Sequence, residues 1–232
     1  MTPAIKICGI CNLADAQLAI DHGAEYLGLI FVQSSPRYVE PGLARSIVES
    51  IDRKAKIVGV FQNAADNEID HIIDFVGLDY LQLHGNESPV FCATLSRPII
   101  KSFQIAAPNQ ILDEQPCLTL PLNNTNDNQL DFDRCLNMLD QYRPYCSYFL
   151  FDKPKHAPNT NWLDFAITQL GLIEDQLGDY FLAGGLNADN VKTALQKLKP
   201  AVVDIASGIE KTAREKNRKL MTDFFTALEF QY

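Results

Sequence analysis

Short apolar runs rich in β-branched and aromatic residues alternate with longer segments whose apolar residues recur every three or four positions. The short runs are typical of buried strands, and the longer segments have the period of amphipathic helices. The first run, residues 4–9, ends in a cysteine and a glycine that lets the backbone turn. Further strands are predicted at residues 26–31, 56–61, 80–83, 98–103, 148–151, 180–183 and 202–206. Helices are predicted at residues 12–22, 41–51, 87–95, 132–142, 162–170 and 188–198, and on the stripes Ile69, Ile72, Ile73, Val76 and Leu220, Phe224, Phe225, Leu228.

The order of these elements predicts an α/β fold, a single (β/α)8 TIM barrel that spans residues 1–232 as one domain. Strands that are apolar on both faces and separated by helices form a parallel sheet covered by helices. Eight such units favour a closed barrel over an open doubly wound sheet, and no G-x-G-x-x-G opens the first helix. The rhythm breaks at residues 105–130, where prolines and an asparagine-rich run predict an insertion between strand 5 and helix 5, with a short extended piece at 117–120.

The composition changes this picture little, because 47% of the 232 residues are hydrophobic and 21% are charged, as in an ordinary globular chain. The net charge of −9 argues against nucleic acid or an anionic membrane as a partner. Without a secretory or transmembrane segment, a cytoplasmic protein with reduced thiols is expected. Cys8 and Cys11 form a CxxC pair, but no second pair or histidine lies at zinc spacing, so no metal is expected. Monomer and homodimer both stay open.

A lysine and a cysteine share one face of the first strand. Alternation places Lys6 and Cys8 on one side and Ile5 and Ile7 on the other. Lys6 and Asp204, from the eighth strand, are both expected to point into the barrel, and these two strands are neighbours once the barrel closes. Because an unpaired buried charge is costly, the two side chains are predicted to form an internal ion pair one layer beneath Cys8.

The active sites of such barrels form where the strands end. The residues predicted there are Cys8, Arg37, His84, Asp152, Gly184, Gly185, Ser207 and Gly208. Cys8 and Asp152 make an acid/base pair across the barrel mouth, and the alternatives are a buried structural thiol and a helix-capping or loop carboxylate. Arg37 suits either a bidentate contact with a carboxylate or phosphate or a solvated surface position.

The glycine turns after the last two strands predict a phosphate site. Gly184–Gly185 and Ser207–Gly208 let backbone N–H groups approach an anion, although glycines also serve in plain β–α turns. His84 is expected to pack at its strand end with a hydrogen bond, and substrate contact is the second role retained for it. Cys11 is assigned to the first helix, away from the site.

Six motifs lie at or near these strand ends. They are KICG at 6–9, SPR at 35–37, VGVF at 58–61, LQLHGNE at 81–87, LAGGLN at 182–187 and DIASGIE at 204–210. In order and spacing the chain resembles the phosphoribosylanthranilate isomerase family over nearly its whole length, residues 105–130 excepted. The resemblance implies an isomerase of tryptophan biosynthesis that works without metal or organic cofactor. Its reaction would be the Amadori rearrangement of N-(5-phosphoribosyl)anthranilate to 1-(2-carboxyphenylamino)-1-deoxyribulose 5-phosphate.

The resemblance also implies a role for most of the candidate residues. Asp152 would be the general acid that protonates the furanose ring oxygen and opens the ring to a Schiff base. Cys8 would be the general base that removes the C2 proton. Arg37 would hold the anthranilate carboxylate, and the turns at 184–185 and 207–208 would hold the phosphate.

The chain departs from the family pattern at three places. The loop 153–162, KPKHAPNTNW, has prolines where the family has a Gly-Gly-Thr-Gly-like stretch, which predicts a stiffer loop. Lys153, Lys155 or His156 is the candidate to reach the phosphate from this loop. Ala206 replaces a frequent serine, and the asparagine-rich insertion has no family counterpart.

Two alternative functions are left open. One is a related sugar-phosphate isomerase, such as the histidine-pathway aminoaldose isomerase, but such enzymes have aspartate where Cys8 stands. A ribulose-phosphate epimerase would need a cluster of histidine and aspartate ligands that four scattered histidines do not offer. The other is a non-catalytic barrel that binds a phosphate ligand, which the altered loop favours and the retention of Cys8, Asp152 and Arg37 opposes.

Overall fold

Eight parallel strands close into a barrel in a computed structural model that describes residues 2–106, 117–118, 128–154 and 162–229. The strands are β1 Ala4–Cys8, β2 Tyr26–Ile30, β3 Lys56–Phe61, β4 Tyr80–Leu83, β5 Ile99–Ile105, β6 Tyr148–Asp152, β7 Tyr180–Leu182 and β8 Val202–Ile205. Each strand pairs with its neighbours in the chain, and pairing of β1 with β8 completes the circle. The predicted closed barrel is confirmed, and its extent as one domain over residues 1–232 stays a prediction.

Helices follow the strands around the outside of the barrel. They are α1 Leu13–Asp21, α2 Pro41–Ser50, α3 Asp66–Ile72 with a π-helical turn Ile73–Gly77, α4 Pro89–Cys92, α5 Asn128–Tyr142, α6 Trp162–Gly171, α7 Glu174–Leu177, α8 Val191–Lys197 and α9 Arg218–Glu229. The short helix α7 has no counterpart among the predicted elements. After β8, a hairpin pairs Glu210–Thr212 with Glu215–Lys216, and we call it the β8 hairpin.

Four helices differ from the prediction: α5 starts four residues earlier than predicted, at Asn128, α8 starts three residues later, at Val191, and α4 and α9 differ as follows. Helix α4 is shorter than the predicted 87–95. It starts after Ser88, whose hydroxyl accepts the backbone N–H of Phe91 as an N-cap, and Glu87 lies before this cap with its carboxylate bound to the N–H groups of Asn63 and Gly85. In α9 the predicted stripe was wrong at its first member: Leu220 is 39% exposed, whereas Met221 is buried and faces the barrel. The buried stripe therefore starts one residue later than predicted.

The predicted insertion lies mostly outside the described residues. Its predicted extended piece is seen in part, as a two-residue strand, Cys117–Leu118, that runs parallel to the end of β5. None of the helices in the described ranges is both long and apolar enough to cross a membrane.

The apolar core has two layers. Between the barrel and its helices lies the larger layer, to which the helical stripes and the outward-facing residues of the strands contribute. Inside the barrel lies a smaller one, formed by Tyr26, Val58, Ile100, Leu150, Phe181, Ala183 and Val202. Because successive side chains of a strand point to opposite faces, each strand feeds both layers.

The ion pair predicted inside the barrel is confirmed. Lys6 Nζ donates to both carboxylate oxygens of Asp204 at 2.9 Å, and Lys6 has no exposed surface. The two residues stand directly opposite each other in the β1–β8 register. Burial alone would lower the pKa of Lys6, but Asp204 outweighs it and the pKa lies above its usual value.

A second buried ion pair lies outside the barrel wall. Lys101 Nζ contacts the carboxylate of Glu87 at 2.9 Å and the carbonyl oxygen of Gly85 at 2.7 Å. This cluster ties the loop after β4 to β5 and was not predicted.

We expect Lys6→Met to destabilise the fold by about 3–5 kcal/mol, because it leaves the Asp204 carboxylate buried without a partner. The double variant Lys6→Met/Asp204→Leu should regain most of that loss, since it removes both charges. Urea unfolding monitored by circular dichroism measures both, with Lys54→Met, a change at an exposed lysine, as the control. Equal stability of Lys6→Met and the control would contradict the role given to the pair.

Candidate active site

One cavity of about 830 Å³ opens at the C-terminal ends of the strands. Its lining includes every site residue predicted from the sequence: Cys8, Arg37, His84, Asp152, Gly184, Gly185, Ser207 and Gly208. They come from β1, β6 and the loops after β2, β4, β7 and β8, so the closure of the barrel brings together residues that are far apart in the chain.

Cys8 lies at the end of β1 with its side chain toward the barrel axis, 7% exposed. Opposite it in the register stands Gly28 of β2, where a Cβ atom would lie 2.8 Å from Cys8 Sγ and 3.1 Å from Lys6 Nζ. Any other residue at position 28 would therefore displace the thiol or the ammonium group. Burial raises the pKa of the thiol, and the nearby cations of Lys6 and Lys216 oppose this only in part.

Asp152 ends β6, on the far side of the cavity. Burial raises the pKa of this carboxyl to about 6, although it accepts the backbone N–H of Lys153 at 2.6 Å, a bond that favours the ionised form. A carboxyl group with this pKa still holds a proton in part of the molecules near neutral pH. That property suits a general acid.

His84 connects Asp152 to a buried glutamine. Its Nε2 lies 3.6 Å from Asp152 Oδ2, and its Nδ1 lies 3.3 Å from Gln82 Nε2. A donor amide at Nδ1 favours the tautomer that carries its proton on Nε2, toward Asp152. Gln82 is 3% exposed, and within the described part of the chain its Oε1 accepts no hydrogen bond. The amide oxygen thus offers an acceptor to a ligand in the cavity.

Arg37 is held by a residue that the sequence did not single out. Glu210, at the start of the β8 hairpin, accepts from Arg37 Nε at 2.8 Å and Nη2 at 2.6 Å. Lys216, at the end of the hairpin, also binds Glu210, at 2.8 Å. Burial favours the neutral form of Glu210, but the bonds from both cations outweigh it and keep its pKa below the usual value.

The predicted glycine turns need glycine. Gly184 has a φ of +96°, and a Cβ atom there would collide with the Trp162 ring. At Gly208 a Cβ atom would collide with the carbonyl oxygen of Leu186. Gly185, with a φ of +70°, is exposed at the cavity rim next to these turns.

Cys11 was wrongly assigned to the first helix. It precedes the helix cap Asn12, and its thiol donates to the carbonyl oxygen of Arg37 at 3.4 Å. It thus supports the loop that carries Arg37 but does not line the cavity. Among the residues that the structure describes, no group of histidine, cysteine and acidic side chains could hold a metal ion.

The loop after β6 is described only at its ends. Lys153 lines the cavity, while Lys155 and His156, the other candidates for phosphate contact, lie outside the described residues. The predicted stiffness of this loop therefore stays a prediction. Ala206 lines the cavity, and its carbonyl oxygen accepts from Lys216 Nζ at 3.2 Å.

The chain is similar to known proteins over nearly its whole length. A family model described as N-(5'phosphoribosyl)anthranilate (PRA) isomerase matches residues 5–141 and 126–227. The chain belongs to the PRA isomerase family. It is 34% identical to the N-(5'-phosphoribosyl)anthranilate isomerase of Rhizobium leguminosarum bv. trifolii over 99% of this chain and 95% of that protein. With the isomerase of Geobacter sp. M21 it shares 32% identity over 95% of each chain.

Solved structures of PRA isomerases have the same fold. The enzyme of Thermotoga maritima superimposes with a TM-score of 0.79 at 27% identity over 98% of both chains. A PRA isomerase in complex with reduced 1-(o-carboxyphenylamino)-1-deoxyribulose 5-phosphate gives a TM-score of 0.77 at 27% identity over 98% of both chains. For the isomerase of Pyrococcus furiosus the TM-score is 0.75 at 25% identity, again over 98% of both chains.

The raised pKa of Asp152 predicts a pH-dependent gain in stability for Asp152→Asn. An ionised Asp152 destabilises the folded state, so the variant should be more stable than the wild type above pH 6, by about 2–3 kcal/mol. The gain should shrink as the pH falls through 6 and vanish below pH 4, where the carboxyl is protonated in both folded and unfolded chains. Urea unfolding from pH 3.5 to 8 measures it, with the exposed Asp21→Asn as control. A gain that does not change with pH would contradict the assignment.

Proposed function

We propose that this member of the PRA isomerase family converts N-(5-phosphoribosyl)anthranilate to 1-(2-carboxyphenylamino)-1-deoxyribulose 5-phosphate, the Amadori rearrangement of tryptophan biosynthesis. In this proposal Asp152 is the general acid and Cys8 the general base. The observation that carries it is the placement of these two groups on β6 and β1, facing one cavity that also contains Arg37.

The two anionic ends of the substrate fit the two ends of the cavity. Arg37 binds the anthranilate carboxylate, because part of its guanidinium faces the cavity and can form a fork of hydrogen bonds. The phosphate binds at the turns that contain Gly184, Gly185, Ser207 and Gly208, where the absence of side chains on three of the four residues lets the backbone approach it closely. The ribose then lies between Cys8 and Asp152.

The first chemical step is the opening of the ribose ring. Asp152 donates its proton to the ring oxygen, the bond from this oxygen to C1 breaks, and the nitrogen lone pair forms a protonated Schiff base. The pKa of about 6 leaves a protonated fraction near neutral pH, and a bound phosphate, through its negative charge, raises this fraction further. His84 and Gln82 orient the carboxyl group from the side of β4.

The second step moves a proton from C2 to C1. The protonated Schiff base withdraws electrons from C2, and the Cys8 thiolate removes the C2 proton to give an enolamine. Cys8 then returns a proton to C1, while the O2 hydroxyl gives its proton to the Asp152 carboxylate as the ketone forms. The resting Cys8 thiol gives its proton to solvent water once the Schiff base has formed, and the thiolate regains a proton from solvent after the ketone forms. Both groups thus end in their starting states, so the reaction consumes no proton and needs no redox partner.

The cations near Cys8 make it easier for the thiol to lose its proton. Burial favours the thiol, whereas Lys6 and Lys216 favour the thiolate, and the positive charge of the Schiff base adds to their effect once the ring is open. The thiolate therefore forms most readily in the intermediate that needs it. No metal or organic cofactor has a part in this scheme.

The cellular setting is also a proposal. We propose a cytoplasmic enzyme with no nucleic acid partner, in agreement with its acidic net charge of −9 and the free thiols of Cys8, Cys11, Cys92, Cys135 and Cys146. A crystal structure has been solved of monomers generated from the dimeric isomerase of Thermotoga maritima. For this chain, monomer and homodimer both remain compatible with the proposal.

The proposal predicts that turnover depends on both groups. Cys8→Ser and Asp152→Asn should each lower kcat by about 10²–10⁴-fold, the usual contribution of a general base or acid. Freshly generated phosphoribosylanthranilate is the substrate, and the loss of its fluorescence measures the rate. Cys135→Ser, which changes a buried thiol outside the cavity, is the control and should keep wild-type kcat.

Two other results would redirect the assignment. A wild type that binds reduced 1-(o-carboxyphenylamino)-1-deoxyribulose 5-phosphate but never turns the substrate over would support a non-catalytic binding barrel. A wild type that isomerises a different aminoaldose phosphate, and not this substrate, would support a related isomerase. Normal turnover in Cys8→Ser or Asp152→Asn would remove that residue from the mechanism.

A further inference from the structure

Only part of the Arg37 guanidinium is hydrogen-bonded within the protein. Its Nε and Nη2 donate to the two oxygens of Glu210, while Nη1 donates to no acceptor in the described part of the chain. The Arg37 side chain is 23% exposed and lines the cavity, whereas that of Glu210 is 6% exposed beneath it. A bidentate pair of this kind fixes the plane of the guanidinium, so its remaining N–H groups form an edge turned away from Glu210.

A carboxylate partner normally weakens an arginine as an anion site, because the pair is neutral. Here Lys216 restores the charge: its side chain is 1% exposed, and its Nζ lies 2.8 Å from Glu210 Oε1. The triad of Arg37, Glu210 and Lys216 thus has a net charge of +1, which matches one ligand carboxylate. Asp15 and Arg214, which lie near this cluster, add one charge of each sign.

We propose that Glu210 and Lys216 are positioning residues that make the cavity selective for a ligand with an aromatic carboxylate. Glu210 orients Arg37, and Lys216 supplies the positive charge that Glu210 would otherwise cancel. This inference rests on the proposed function, in which Arg37 binds the anthranilate carboxylate. It goes further by assigning the selectivity to two residues of the β8 hairpin that do not touch the ligand.

The same lysine links this anion site to the base. Lys216 Nζ also donates to the carbonyl oxygens of Cys8 at 2.6 Å and Ala206 at 3.2 Å, at the ends of β1 and β8. The backbone N–H of Lys216 donates to the Asp15 carboxylate, and the backbone N–H of Asp15 donates to the side-chain oxygen of Asn12. The ammonium group is therefore held by three partners, the two carbonyl oxygens and the Glu210 carboxylate, and cannot follow a ligand into the cavity.

The test compares two ligands that differ only in the carboxylate. Reduced 1-(o-carboxyphenylamino)-1-deoxyribulose 5-phosphate carries it, and reduced 1-phenylamino-1-deoxyribulose 5-phosphate lacks it. Titration calorimetry gives a Kd for each, and their ratio is the carboxylate preference of a protein. Lys216→Met should lower this preference about tenfold or more, because a full charge near the carboxylate is lost. The Kd of the ligand without a carboxylate should change little.

A charge-balanced double variant sharpens the test. Lys216→Met leaves Arg37 and Glu210 as a neutral pair, whereas Lys216→Met/Glu210→Gln returns the net charge to +1 through Arg37 alone. The double variant should therefore regain part of the carboxylate preference that the single variant lost. A structural role for Lys216 predicts the opposite order, since a second buried change would add to the damage.

Controls separate this inference from folding and from the proposed function. Lys211→Met changes an exposed lysine on the same hairpin and should keep the wild-type preference. Lys216→Gln, which keeps a hydrogen-bond donor near the two carbonyls, takes the place of Lys216→Met if that variant does not fold. If Lys216→Met weakened the binding of both ligands equally, or changed the Kd of neither, the roles of Glu210 and Lys216 would be overturned. A wild type with no carboxylate preference would instead overturn the role of Arg37 in the proposed function.

Discussion

The ion pair between Lys6 and Asp204 is the constraint on which the rest of the barrel depends. It joins β1 to β8 where the sheet closes, and it divides the interior into an apolar lower part and a polar upper part. Each charge can be buried only because the other is present. A shift in the register of either strand would leave both charges buried without a partner. The pair also sets the height of Cys8, one layer above, and Gly28 leaves the space that the thiol and the ammonium group need.

The cavity above this pair combines groups whose pKa values are both raised by burial. Cys8 rests as a thiol, and Asp152, with a pKa of about 6, keeps a proton more readily than an exposed aspartate. The closed barrel thus favours protonated, neutral forms on both sides of the substrate position. In the proposed mechanism this is useful for Asp152, which must donate first, and it is overcome at Cys8 only when a positive charge develops on the ligand. The barrel shape alone does not create this order; the burial of two particular side chains does.

The β8 hairpin shows how a short element controls a site that it barely enters. Glu210 and Lys216 lie close together at the base of the hairpin, yet they contact Arg37 from the loop after β2 and the carbonyl of Cys8 at the end of β1. Because β1, β2 and β8 are neighbours, one hairpin reaches both. In the proposed function, these contacts hold Arg37 ready for the carboxylate of the substrate.

Local pattern in the sequence determined most of the strands and which residues end them, because strand period, glycine turns and proline positions act between near neighbours. It placed Cys8, Arg37 and Asp152 at one barrel mouth, and the cost of a lone buried charge predicted the Lys6–Asp204 pair. The predicted buried face of α9 and the predicted length of α4 were wrong, since both depend on contacts with distant residues. Only the tertiary structure decided that Glu210 holds Arg37, 173 positions away. It also decided that the pKa of Cys8 shifts upward, because burial and charge at a site depend on distances between elements that no local pattern contains.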